Sequence, residues 1–487
     1  MSAPAAATTA VPIPERLPIV LRASPVATCL WLLAADAAAV LLARFLGAGL
    51  WSLVNASVGT DNQFDLGMSL GLFLLVYASF GLYSASSHGP VEELRRIVLG
   101  AALVSLVLTA AAFLSKAGGV YSRGVLLCSG ALVAVLAPLH RAGLRRLFAE
   151  KPWWGVPVLI LGAGHTARAL IADLRRRPAI GMKPVACLDD DTGKLGHCAG
   201  VPVAGPLSLA PELARAWAIR HAIVAMPGIE NHRLVSILER WGAPFSSVIV
   251  IPNLFGMATL WVSIREMGGV LGLEVRQNLL VPFNRWLKRT LDLALAAVLG
   301  IGAVPLLAVA ALWIRLVSPG PAFYYQVRGG QCGRAIRVWK LRTMHANADA
   351  LLSGHLLAYP EAREEWRRYF KLKQDPRILP GIGRLLRRTS LDELPQLWNV
   401  LRGEMSLVGP RPFPDYHLAQ FQPEFRSLRA KVAPGLTGLW QVTARSNGDL
   451  KTQEALDTYY IRNWSPWLDL HILARTVRAV LLSDGAY

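Results

Sequence analysis

Residues 389–412 read TSLDELPQLWNVLRGEMSLVGPRP and set two carboxylates side by side, Asp392 and Glu393. Arg384, Arg387 and Arg388 precede the pair, and Arg402 and Arg411 follow it. Adjacent acids ringed by arginine, beside a Gly-Pro-Arg-Pro turn, point to anionic chemistry with a metal. The acids also have a structural reading. Asp is a good N-cap, and Ser390 with Glu393 fits the Ser-x-x-Glu capping box. Pro395 would then fall inside the helix, where its missing N–H is needed. A helix that starts at Asp392 keeps Pro395 in the first turn, where no donor is missed. That places Asp392 at a helix N-terminus, where backbone N–H groups and the dipole favour bound phosphate. The residues alone leave cap and catalyst equally open.

Further pieces flank this stretch in a fixed order. They are Lys288-Arg289-x-x-Asp292-Leu293, Ser318-Pro319-Gly320-Pro321, Gln326-x-Arg328-x-Gly330, Lys340-x-Arg342-Thr343-Met344, Asp375-Pro376-Arg377 and Pro434-Gly435-Leu436-Thr437-Gly438. One such piece is weak; this many in order is specific. Together they cover residues 282–487 and resemble the bacterial sugar transferases, the monotopic phosphoglycosyl transferases that act on polyprenyl phosphate. The N-terminal part extends the likeness to the large, WbaP-like members, which often transfer galactose phosphate.

With 487 residues the chain has room for two or three domains. A hydrophobic fraction of 53% is high for a soluble protein. The net charge of +19 suits nucleic acid, anionic lipid or anionic substrate equally. No aromatic-basic groove or helix-turn-helix pattern is present, so no nucleic-acid partner is expected. The apolar segments decide for the lipid bilayer. Cys29, Cys128, Cys187, Cys198 and Cys332 form no C-x-x-C pair and lie near no histidine cluster. Reduced thiols are expected, not zinc or disulfides.

Within residues 1–150, apolar runs at 26–46, 66–83, 97–114 and 125–139 each approach the roughly 20 residues that span a bilayer. They predict a four-helix transmembrane bundle. Asp36 lies in the first run, either functional or hydrogen-bonded to another helix. Arg16, Arg22, Arg95, Arg96, Arg141, Arg145, Arg146 and Lys151 cluster at one side of the runs, and the loop at 51–65 has no Lys or Arg. Both ends of the bundle are therefore expected in the cytosol.

Residues 151–280 read as a Rossmann-like cytosolic domain. A strand at 156–161 leads into Gly162-Ala163-Gly164-His165-Thr166-Ala167 and then a helix. This is the dinucleotide fingerprint with Ala for the last glycine, and Gly162 and Gly164 form a candidate nucleotide-binding turn. A second strand ends in Asp189-Asp190-Asp191, where a ribose-binding acid would sit. The alternative is a turn kept because its backbone needs glycine. The resemblance implies a regulatory or assembly module here.

Residues 281–317 carry an apolar run long enough to cross, with Pro305 near its middle and arginine beyond both ends. Basic flanks on both sides and a proline bend predict a helix that breaks, dips into one leaflet and returns. The resemblance implies the same re-entrant membrane helix, broken at Pro305. Its relatives usually place Ser-Pro at the break; this chain has Val304-Pro305.

Residues 318–487 are expected to form an α/β catalytic domain. Lys340 and Arg342, two apart in a strand, project to one face, which suits a diphosphate or a solvated basic edge. The resemblance implies that Asp392 is the nucleophile and that Glu393 helps hold Mg2+, with Asp457 completing the metal shell or positioning substrate. Lys340, Arg342, Arg388, Arg411 and Arg445 would neutralise substrate phosphates. The expected partners are a UDP-sugar, undecaprenyl phosphate and the bilayer; large members also admit a homodimer. The implied reaction moves a hexose-1-phosphate, galactose first and glucose second, through an aspartyl-phosphosugar, with release of UMP. It would begin surface polysaccharide assembly (exopolysaccharide, lipopolysaccharide O-antigen or capsule) at the bacterial inner membrane, with the catalytic domain facing the cytoplasm. Two rivals remain on sequence grounds: a nicotinamide-dependent sugar-modifying enzyme and a non-catalytic membrane scaffold. The first lacks a fitting Tyr-x-x-x-Lys, and the second needs no paired acids.

Overall fold

A computed structural model describes residues 23–55, 66–86, 89–114, 122–251, 262–267, 270–275, 278–345, 347–369, 372, 375–443 and 450–481. The chain divides into two compact units, 1–255 and 256–487.

The first unit opens with four apolar helices, α1 (Pro25–Val54), α2 (Leu66–Ser79), α3 (Pro90–Leu114) and α4 (Arg123–Phe148). Alanine and leucine dominate them, so helix propensity and hydropathy agree. The Ser24 and Ser122 hydroxyls accept the N–H groups of Ala27 and Val125 and so cap α1 and α4. By length and composition α1, α3 and α4 can each cross a membrane. Helix α2 has 14 described residues, fewer than the roughly 20 of a full span. Small buried residues, Ala39, Ala43, Ala101 and Ala137, let the helices approach closely.

Among the described residues of this bundle, three charged side chains are buried, Asp36, Glu93 and Arg141, with Arg145 half-buried beside them. Arg141 donates from Nε and Nη2 to the two oxygens of Asp36, at 2.9 and 2.6 Å. Its Nη1 donates to Glu93 at 2.8 Å, and Arg145 donates to the same carboxylate at 2.6 and 2.7 Å. Two acids and two arginines balance, so the charge is paired and α1, α3 and α4 are tied together. Asp36 thus takes a structural role.

The bundle is followed by β1 (Val156–Leu161), α5 (His165–Arg176), β2 (Met182–Leu188), β3 (Gly196–Cys198), β4 (Val201–Gly205), α6 (Ala210–Ala216), β5 (His221–Val224), α7 (Asn231–Trp241) and β6 (Ser247–Val250). The sheet order is β3-β4-β2-β1-β5-β6, parallel except for β3 against β4. Every residue of β1 is buried. Val158 and Ile160 pack with Ala167 and Ile171 of α5, while Leu159 and Leu161 pack with Leu213 of α6 and Ile237 of α7. Helices on both faces of a parallel sheet explain that unbroken apolar run. Gly162 has φ +108, and a Cβ there would stand 2.6 Å from the Met226 side chain, so only glycine fits.

The second unit contains the hairpin β7 (Val262–Met267)–β8 (Val270–Val275), then α8 (Pro282–Val317) and the hairpin β9 (Phe323–Gly329)–β10 (Ala335–Leu341). Next come α9 (Ala348–Ala358), α10 (Pro360–Tyr369), α11 (Ile382–Thr389), α12 (Gln396–Arg402) and β11 (Ser406–Val408). The order continues through α13 (Asp415–Leu418), α14 (Pro423–Ala430), β12 (Gly435–Thr437), α15 (Leu439–Thr443), α16 (Leu450–Asn463) and α17 (Pro466–Leu481). Among its described residues the three sheets have two strands each, so the unit is chiefly helical where an α/β domain was expected.

Helix α8 also departs from expectation. It runs 36 residues without interruption, with Pro305 inside it. Proline removes one backbone bond and bends the axis, which need not end the helix. Its buried face comprises Lys288, Asp292, Ala296, Ala303 and Ile314. Val298, Ile301, Val304, Val309 and Leu316 lie exposed, an apolar surface suited to lipid.

Replacing Arg141 by Met should leave two buried carboxylates short of a partner and cost about 3–5 kcal/mol. A thermal melt of the detergent-solubilised protein checks this, with a clear drop in Tm as the expected result.

Candidate active site

The acid pair sits where three helical segments meet end to end. Helix α11 stops at Thr389 because Ser390 adopts a left-handed conformation, φ 55. One 3-10 turn, Leu391–Glu393, follows, and Pro395 caps α12. The proline therefore lies outside the helix it precedes, where it costs nothing. The expected helix N-terminus at Asp392 is replaced by this turn. The capping box does not form either: Ser390 makes no side-chain cap bond, and the Glu393 side chain is turned elsewhere.

Glu393 Oε1 accepts from Lys340 Nζ at 2.8 Å and from Arg411 Nη2 at 3.2 Å. Lys340 comes from β10 and Arg411 from the turn after β11. Burial alone pushes the Glu393 carboxyl up, but the Arg411 guanidinium and the Lys340 ammonium outweigh it and hold it at about 2. Asp392 behaves oppositely. Burial, reinforced by the Glu393 charge, pushes its carboxyl up to about 6, with Lys340 and Arg387 pulling part of the way back. Among the described residues, the Asp392 carboxylate and Glu393 Oε2 take no side-chain hydrogen bond. Two neighbouring acids thus occupy opposite electrostatic states, one a fixed anion and one a more basic, open carboxylate.

Two neighbours escaped the sequence reading. Tyr324 pairs with Lys340 across the β9–β10 hairpin, and burial together with Asp392 raises its phenol. The strand register was the available signal. Arg387 donates to Thr343 Oγ1 at 3.0 Å and acts on Asp392, whereas Arg388, the arginine chosen from sequence, is exposed on α11.

The other expected residues do not all converge. Arg342 donates to the Ser318 and Pro319 carbonyls at 2.5 and 3.0 Å and holds the turn that follows α8. Strand β10 ends at Leu341, so the alternation that would have aligned Arg342 with Lys340 has ceased. Asp457, on α16, faces Arg429 at 3.5 Å and not Glu393. Burial raises its carboxyl to about 6 against the pull of Arg429, whose guanidinium lies 4.6 Å from the centre of the Phe413 ring. Arg445 lies outside the described residues. In the first unit, Gly162 and Gly164 do form the tight turn beside a cleft of about 450 Å3 lined by Gly164, His165, Asp189, Lys194, Met226 and Arg233.

Residues 283–483 match the family model of bacterial sugar transferases, and residues 78–252 match that of a CoA-binding domain. The undecaprenyl-phosphate galactose phosphotransferase of Salmonella typhimurium is 35% identical over 372 residues, which cover 75% of this chain and 77% of that protein. The UDP-galactose-lipid carrier transferase of Erwinia amylovora is 33% identical over 405 residues, 82% of each chain. This chain belongs to the bacterial sugar transferase family. It is accordingly a membrane enzyme of the sugar-phosphate transferase type. A third member, the UDP-glucose:undecaprenyl-phosphate glucose-1-phosphate transferase of Escherichia coli K12, is 33% identical over 338 residues, 68% of each chain.

The donor atoms bear on two groups that such a family brings to mind. No cluster of three or more His, Cys, Asp or Glu side chains that could hold a metal exists among the described residues, so those residues build no metal cage of their own. Mg2+ commonly uses one or two carboxylates together with substrate phosphates, and the open oxygens of Glu393 and Asp392 fit that pattern. Asp457 would have to leave Arg429 to join them. In the CoA-binding region the acids after β2 are already engaged. Asp189 accepts from Ala163 and Asp191 N–H, Asp190 from Leu207 N–H, and Asp191 from Gly193 N–H. Lys194 sits 3.2 Å from Asp189. Asp189, Asp190 and Asp191 also line the cleft beside the Gly162–Gly164 turn.

In metal-free protein with 13C-labelled carboxyls, Asp392 should titrate near about 6 and Glu393 near about 2, identified by the signals lost in Asp392→Asn and Glu393→Gln. Arg411→Ala should move the Glu393 midpoint upward, because its largest favourable charge is gone.

Proposed function

We propose that this protein transfers a hexose-1-phosphate from a UDP-hexose to undecaprenyl phosphate through a covalent aspartyl-phosphosugar. The observation that carries the reading is the split acid pair: an open, basic Asp392 beside a Glu393 pinned by Lys340 and Arg411. Both substrates are anions, and a covalent step separates their encounters with the reacting phosphorus. The Asp392 carboxylate attacks the phosphorus that bears the sugar. The bond to the bridging oxygen breaks, and UMP leaves with the electron pair. An oxygen of undecaprenyl phosphate then attacks the same phosphorus and frees Asp392. Lys340 and Arg411 neutralise charge on the phosphates while they hold Glu393 away from Asp392. Mg2+, held by Glu393 Oε2 and the substrate phosphates, would supply Lewis-acid stabilisation of phosphate charge.

Galactose is the favoured sugar, since the Salmonella and Erwinia relatives act on galactose by name. Glucose is the second reading, from the Escherichia coli relative. The basic second unit, with the exposed apolar surface of helix α8 in the bilayer, would place the acid pair at the cytosolic headgroup level of the inner membrane. There a soluble nucleotide sugar and a lipid phosphate can both reach it.

Incubation with UDP-galactose alone should yield a protein adduct heavier by one hexose phosphate, seen by intact-mass spectrometry and absent from Asp392→Asn. Nucleotide release that waits for lipid, without any adduct, sinks the covalent route. A panel of UDP-sugars scored for UMP release should rank UDP-galactose first; a preference for UDP-glucose selects the second reading.

A further inference from the structure

The first turns of α8 carry three charged side chains that reach into the catalytic unit. Lys288 and Asp292 are buried there. Asp292 Oδ1 accepts the Leu407 N–H at 3.2 Å, and Oδ2 accepts the Ser406 hydroxyl at 2.7 Å. Lys288 stands 3.6 Å from Asp292 and donates to Asp469 of α17 at 2.7 Å. The Tyr460 hydroxyl of α16 lies 2.8 Å from the Val408 carbonyl. Each residue of β11 is therefore held from α8 or α16.

Beyond Val408 the backbone has no slack. Gly409 N–H donates to the Thr437 carbonyl at 2.8 Å, and Gly435 N–H donates to the Pro410 carbonyl at 2.9 Å. A Cβ on Gly409 would meet the Ala433 carbonyl oxygen at 2.8 Å. Pro410 fixes its own φ. The next residue is Arg411, whose guanidinium meets Glu393. Arg289 also donates to the Val400 and Leu401 carbonyls at 2.5 and 2.9 Å, at the C-terminus of α12, the helix that follows the acid pair. One helix thus grips two successive segments that follow the pair, the end of α12 and strand β11.

We infer that Asp292 is a positioning residue for the transfer: it holds β11 so that Arg411 meets Glu393, and it does not touch substrate. A buried carboxylate used only to glue α8 to the unit would be costly cement, since an apolar contact does that with less desolvation. Two directed acceptors for adjacent donors of one strand instead fix a register. The inference rests on reading Asp392 and Glu393 as the reacting pair.

A double-mutant cycle decides it. Wild type, Asp292→Ala, Arg411→Ala and the double variant are placed in identical lipid discs and scored for kcat/KM of UMP release. Asp292→Ala should lose about tenfold or more in the wild-type background and less than about twofold when Arg411 is already gone. Equal losses in the two backgrounds mean simple destabilisation and overturn the inference. Asp292→Asn, which can accept from Leu407 and donate to Ser406, should recover most of the rate. If Asp292→Ala does not fold, Ser406→Ala replaces it in the cycle, with a smaller loss that must again vanish without Arg411. A wild type that turns over no UDP-hexose removes the functional reading itself; an active wild type with an additive cycle removes only the role of Asp292.

Discussion

Two carboxylates on consecutive residues of a half-buried turn repel each other, and burial makes both charges more expensive. The second unit resolves this by hydrogen-bonding its nearby Lys340 and Arg411 to one of them. Lys340 and Arg411 share a single oxygen of Glu393. Asp392 is left as the member that bears the cost of desolvation, and its raised basicity follows. Much of the surrounding architecture serves that asymmetry. The β9–β10 hairpin carries Lys340, the clamped Gly409-Pro410 segment carries Arg411, and the left-handed Ser390 turns the pair out of helical geometry.

The sequence made much of this legible. The order of short motifs from Lys288 to Gly438 pointed to the sugar transferase family and singled out Asp392 and Glu393, which the structure places beside Lys340 and Arg411. The apolar strand at 156–161, the glycine turn and the helix after it pointed to the Rossmann-like domain, and the sheet there is parallel except for β3. What escaped was directional. Nothing in Lys340-x-Arg342 says that the strand stops between them, so Arg342 was read as a phosphate ligand although it serves the Ser318-Pro319 carbonyls. Asp457 was read beside Glu393, but its partner Arg429 lies on a different helix. Tyr324 became visible only through hairpin register, a pairing that residue types alone do not specify. The helix start at Asp392 was inferred from proline rules, and a left-handed serine gave those rules another solution.

In the first unit the same economy appears with a different outcome. Asp36, an acid inside an apolar helix, is neutralised by Arg141 and shares that arginine with Glu93. The acids that end β2 are likewise spent on backbone donors of neighbouring loops. The strand-to-helix junction at Gly162 demands glycine whether or not a ligand sits beside it.

The unbroken course of α8 has a mechanical corollary. Its 36 residues amount to roughly 54 Å of rod, whereas a bilayer's hydrocarbon is about 30 Å thick. Such an element must lean, flex at Pro305 or leave the oil, and the compromise shifts with acyl-chain length. Because the polar end of that rod is bolted to β11, three residues before Arg411, hydrophobic mismatch has a lever on the acid pair. Lipid composition becomes a variable of the chemistry.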